Sequence, residues 1–70
     1  MSPTSRQVGV RLKALREANG WSQAALAAKA KLAREYLNRL EAGRQDPSLS
    51  TLIALAKALK VPLAKLVKWK

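Results

Sequence analysis

These seventy residues predict an all-α domain, a compact bundle of five helices folded as one unit over residues 1–70. Three observations carry that expectation. The chain is 49% hydrophobic but has two tryptophans, one tyrosine and no phenylalanine, so its core must come from Leu, Ala and Val packed between helices. Apolar residues recur at three- and four-residue spacing, the period of one helical face. Between these runs stand Asn19-Gly20, Gly43 and Pro47, each a helix-ending or turn-forming signal. A domain this small is near the lower limit at which apolar packing alone suffices. Without cysteine or histidine it has no disulfide, thiolate zinc site or imidazole chemistry to draw on.

The elements follow in order. Thr4 with Gln7 three residues later resembles a capping box, and Val8, Leu12 and Leu15 share one face, so the first helix is expected over about 5–18. Asn19-Gly20 ends it, and Trp21 is expected to plug the core. Ser22 caps a short alanine-rich second helix that offers Leu26, Ala27 and Ala30 to the interior. A turn at 30–32 leads to a third helix from 33 or 34 to 42, with Leu37 and Leu40 inward and Gly43 as the stop. Ser48 caps a fourth helix to Leu59, with an apolar stripe of Leu49, Leu52, Leu55, Ala56 and Leu59. Pro62 suits the first position of a fifth helix carrying Leu63, Leu66 and Val67, with Trp69 near its end.

Charge narrows the partner. Fourteen Lys and Arg oppose four acids, for a net charge of +10, which favours nucleic acid or an anionic membrane. The start of the chain lacks a secretory apolar stretch and no apolar run is long enough to span a bilayer, so a soluble, cytoplasmic protein is expected. A membrane-active amphipathic helix is disfavoured because caps and turns at 19–22, 31–33 and 43–48 interrupt the apolar faces. Glu17, Glu35, Glu41 and Asp46 form no spaced acid–base pair, so no enzyme, metal or cofactor is expected. Residues 22–42 instead read as two short helices around a tight turn, the second bearing outward cations, which is how a small protein inserts a helix into the DNA major groove.

At this point the chain resembles the lambda-repressor-like helix-turn-helix family, the Cro- and XRE-type regulators of bacteria and phages. The resemblance covers roughly residues 8–67. It rests on Leu12, Leu15-Arg16, Gly20-Trp21-Ser22-Gln23 and Leu26-Ala27, then on Tyr36 to Gly43 with Arg44, and further on Pro47-Ser48-Leu49, Thr51-Leu52, Leu55 to Leu59 and Val61. The order and spacing of these pieces are more specific than any one of them. Two positions depart from the family: Lys31 stands where a turn glycine is usual, and Ala33 where a Ser or Thr caps the third helix. A non-glycine residue at positive φ and a missing cap each cost on the order of 1 kcal/mol.

The resemblance implies roles. Arg34, Glu35, Asn38 and Arg39 would face base edges, with arginine matched to guanine, asparagine to adenine and glutamate to the cytosine amino group. Phosphate contacts fall to Gln23 at the positive end of the second helix, to Arg44, and to Lys31 with Lys29 beside it. Tyr36 has two readings, a sugar–phosphate contact or half-buried packing against the second helix. Arg16 and Glu41 resemble a structural ion pair that locks the first helix to the end of the third. Leu63, Leu66, Val67 and Trp69 are the expected homodimer contact, spacing two reading helices for a near-palindromic double-stranded operator; the competing reading folds Trp69 back as a core cap. The function implied is a sequence-specific transcriptional regulator, a repressor in preference to an activator. The alternative is a DNA-binding antitoxin with a toxin on its C-terminal surface.

Overall fold

A computed structural model describes residues 3–67, with four α-helices and one 3-10 turn. The helices are α1 (Pro3–Ala18), α2 (Gln23–Ala30), α3 (Arg34–Glu41) and α4 (Leu49–Leu59), and the 3-10 turn is Leu63–Lys65. α1 packs on α3, α2 packs on both α3 and α4, and the 3-10 turn closes over α4. Each element contributes to one core: Val8 and Leu12 from α1, Leu26, Ala27 and Ala30 from α2, Leu37 and Leu40 from α3, Leu52, Leu55, Ala56 and Leu59 from α4, and Leu66. The alanines of α2 let it approach two neighbours at once.

One closing device recurs at all four helix ends. A residue in the left-handed conformation bonds back three residues while the next amide reaches back five, so two carbonyls that the helix leaves unpaired find donors. Gly20 and Trp21 close α1 on Glu17 and Arg16, and Lys31 and Leu32 close α2 on Ala28 and Ala27. Gly43 and Arg44 close α3 on Leu40 and Arg39, and Lys60 and Val61 close α4 on Lys57 and Ala56. Lysine occupies the left-handed position twice, at φ 59° for Lys31 and φ 58° for Lys60. The strain is offset where the next residue is apolar, because Leu32 and Val61 pack against the core.

Several expectations need correction. The fifth helix is a single 3-10 turn: the Lys65 amide donates to Pro62 and the Leu66 amide to Leu63, both at 2.9 Å. Tighter winding over so short a span is enough to bring Leu66 into the core, where it is fully buried. Leu66 therefore has no surface to offer a second copy, and Leu63 and Val67 are half-buried against the same core. Trp69 lies outside the described residues. Thr4 falls inside α1 and not at its cap, since the helix begins at Pro3. Trp21 is half-buried, its ring covered by the Lys29 ammonium 4.7 Å from the centroid, so it flanks the core and does not plug it. Leu49 is 64% exposed and shares an outer face with Ile53, 40% exposed, one turn on.

Gly9 fixes how closely α1 meets α3. A Cβ there would lie 2.5 Å from the Leu40 carbonyl oxygen and 2.7 Å from that of Glu41, both rigid backbone atoms. Alanine normally stabilises a helix interior by up to about 1 kcal/mol over glycine. Here the sign reverses: Gly9→Ala is expected to lower stability by about 1–3 kcal/mol through overpacking, read as a shift in the urea midpoint.

Candidate nucleic-acid interface

α3 has eight residues, too few for an isolated helix to hold in water, and its N-cap Ala33 makes no side-chain hydrogen bond. Tertiary contacts must therefore set it in place. At about 100° per residue, Leu37 and Leu40 fall together on its buried side, while Arg34, Glu35, Asn38 and Arg39 spread over an arc of about 140° on the opposite side. All four are exposed, and with Gln23 from the start of α2 they line one shallow open groove. Lys31 and Arg44 are exposed just before and just after α3. The outer face is thus positive at both ends, with one acid, Glu35, in its first turn.

Below this face lies a buried charge pair. Arg16 Nε donates to Glu41 Oε2 at 2.7 Å and Arg16 Nη2 to Glu41 Oε1 at 3.0 Å, a two-pronged contact from α1 to the last residue of α3. The side chains are only 11% and 3% exposed. Arg16 Nη1 also donates to the Trp21 carbonyl at 2.8 Å, which ties in the chain leaving α1. The hydrogen bond to Glu41 raises the Arg16 pKa above its ordinary value, desolvation opposes that, and the charges of Glu41 and then Glu17 add to it. Arg16 is a permanent cation that Glu41 neutralises.

The pair continues outward as a chain of amides. Gln23 Nε2 donates to Glu41 Oε1 at 3.0 Å, and Gln23 Oε1 accepts from Asn38 Nδ2 at 3.1 Å. Both ends of the Gln23 amide have partners inside the protein, and one N–H is left over. Asn38 keeps its oxygen and its second N–H for the groove. At the other edge, Arg39 Nε donates to Gln45 Oε1 at 2.8 Å, and the Arg39 guanidinium stands 6.0 Å from the centroid of the Tyr36 ring. Tyr36 is half-buried with its hydroxyl 3.4 Å from Thr51 Oγ1, a long contact from α3 to α4.

Gln45 and the link from Gln23 to Asn38 are not foreseen from the sequence. The only local signal for Gln45 is Gly43, whose φ of 74° turns the chain back beside α3; its would-be Cβ lies 3.3 Å from Arg6 Cα, so the turn is also crowded. Nothing in the spacing of Gln23 and Asn38, fifteen residues apart, marks them as partners.

With this geometry established, kinship is informative. Residues 12–66 match the helix-turn-helix family HTH_3. The chain belongs to the Cro/XRE-type helix-turn-helix family of DNA-binding transcription regulators, which is not a family of enzymes. It is 47% identical over 60 residues to the immunity repressor protein of Bacillus phage phi105, covering 86% of this chain and 42% of the phage protein. The chain thus spans under half the length of that relative. Among solved structures, it resembles the restriction-modification controller protein C.AhdI from Aeromonas hydrophila, with TM-score 0.85 and 38% identity over 87% of this chain and 92% of that one. The N-terminal DNA binding domain of SinR from Bacillus subtilis superposes with TM-score 0.86 at 33% identity, over 93% and 96%. These relatives lend no support to the antitoxin alternative. Among the described residues no helix is long and apolar enough to cross a membrane.

Glu41→Ala removes one partner and strands the Arg16 charge in a largely buried site. The expected loss is about 3–5 kcal/mol of folding stability, measured by chemical denaturation, a large fraction of the total for a domain this size.

Proposed function

We propose that this chain is the reading head of a transcriptional repressor that recognises a double-stranded operator by placing α3 in the major groove. The observation that carries the proposal is the outward arc of Arg34, Glu35, Asn38 and Arg39 on a helix anchored from beneath by the Arg16–Glu41 pair. Arginine forks onto guanine, the free edge of Asn38 suits adenine, and Glu35 accepts from the cytosine amino group. Arg44 and Lys31, exposed at either end of α3, bind phosphates and fix the register. Gln23 serves mainly by holding Asn38, with its spare N–H toward a phosphate, and Tyr36 packs between α3 and α4 with one edge toward the backbone.

Two copies on a near-palindromic site would set their reading helices one DNA turn apart, about 34 Å. Each domain measures 28 × 23 × 20 Å, so one fits per turn. In this reading the half-buried Leu63 and Val67 are what remains of the dimer contact, because Leu66 is fully buried, and Leu49 and Ile53 are further apolar side chains exposed on α4. Repression needs only occupancy of the operator, which a reading head of this size can supply.

Selection of bound duplexes from a random library tests the proposal by returning a preferred sequence and its half-site spacing. For a dimer neutralising about six to eight phosphates, log affinity should fall against log salt with a slope of roughly −5 to −7. Arg34→Ala should cost about 1–3 kcal/mol of discrimination at one base pair per half-site, and Arg44→Ala, which removes one phosphate contact from each copy, should weaken all sequences alike and reduce the magnitude of the slope by roughly two. Binding that is flat in salt and blind to sequence would overturn the reading.

A further inference from the structure

The two arginines of the reading arc are not equivalent. Among the described residues Arg34 has no hydrogen-bond partner, while Arg39 is held from two sides: its Nε–H is spent on Gln45 Oε1 at 2.8 Å, and its guanidinium lies 6.0 Å from the Tyr36 ring centroid. Tyr36 is itself steadied by half-burial and by its contact with Thr51. The two supports come from different places, the loop after α3 and the side of α3 that meets α4.

A guanidinium has two ways to bond with both prongs. One uses Nε and Nη2 together, side-on, and the other uses the two terminal nitrogens, end-on. Glu41 takes Arg16 in the side-on manner. In Arg39 the side-on edge is closed, because Gln45 occupies Nε, so only the terminal nitrogens remain free to reach outward. That end-on fork is a planar pair of donors, which fits the O6 and N7 acceptors that guanine alone presents in the major groove. A phosphate accepts from either edge, so restricting the edge favours base over backbone.

We infer that Gln45 is a positioning residue for specificity: it holds Arg39 with its end-on fork toward the groove, so that Arg39 reads guanine, with the Tyr36 ring flanking the guanidinium at 6.0 Å. The inference rests on the proposal that α3 reads bases. Holding one long side chain before binding removes an ordering cost worth about two- to tenfold in affinity, and that gain applies only at the base pair Arg39 touches. Gln45 is a neutral loop residue touching Arg39 through one acceptor, so removing it leaves the net charge and the helices as they are.

The test uses the whole chain and the duplexes recovered by library selection, with relative affinity measured for all four base pairs at each position. Gln45→Met keeps the side-chain length and removes the acceptor. It is expected to lower guanine preference about two- to tenfold at a single position per half-site, with the thermal midpoint and salt slope unchanged. Arg39→Ala is expected to erase the preference at that same position, and Gln45→Met added to Arg39→Ala is expected to change nothing further. If Arg39→Ala leaves every base preference intact, the reading of Arg39 as a base contact fails. If Arg39→Ala erases the preference but Gln45→Met leaves it whole, the positioning role is overturned while the base reading stands. Uniform weakening by Gln45→Met with a shallower salt slope would make Gln45 a phosphate contact and overturn the inference, as would an undiminished effect in the Arg39→Ala background.

Discussion

The buried contact between Arg16 and Glu41 is what makes an eight-residue helix usable as a probe. α3 has no side-chain cap and too few turns to be stable alone, so its direction has to be imposed from outside. Leu37 and Leu40 supply the adhesion, each fully buried leucine contributing about 1.5–3 kcal/mol. Apolar burial decides which side of α3 faces inward, but being non-directional it sets the rotation of the helix only coarsely. The two-pronged ion pair sets it more closely, because both oxygens of Glu41 are committed. Two aliphatic residues of similar volume could match the pair in stability. They could not orient the Gln23 amide, nor through it Asn38.

Gly9 is the steric counterpart of that pair. Its missing side chain lets α1 settle against the last carbonyls of α3, and two turns further along α1 Arg16 reaches Glu41 across the same helix pair. The same economy shows in the distribution of charge. The cation that faces inward is neutralised, and those around α3 face solvent: Lys31, Arg34, Arg39 and Arg44. Four of the fourteen basic residues thus stand on or beside α3 and add a local positive field there to the net charge of +10 carried by the whole chain.

The placement of lysine at left-handed positions shows how far local preference can be overruled. Lys31 and Lys60 each bear strain on the order of 1 kcal/mol that glycine would avoid. Both are followed by residues that must enter the core, Leu32 and Val61, and burial of those side chains outweighs the backbone cost. A basic residue at 31 also stands exposed beside the start of α3, where a glycine would contribute no charge.

Helix positions and most of the core were legible along the chain because their signals are local. Ser22 and Ser48 each accept the hydrogen bond of an amide three residues on, and the leucine spacing marks the inward faces. Arg34, Glu35, Asn38 and Arg39 emerge from the same arithmetic, since whatever lies opposite Leu37 and Leu40 must face outward. Errors came where a residue's fate depends on a distant neighbour. Leu49 has the right spacing for the core but is left exposed by the described residues around it, and Leu66 looks available to a partner until the 3-10 turn folds it inward. The pairing of Arg39 with Gln45 and of Gln23 with Asn38 depends on how loops and helices converge in space. Periodicity can state which side of a helix is wet, because one rotation per residue generates it; which polar groups meet on that side is set by chain segments whose separation no local repeat encodes.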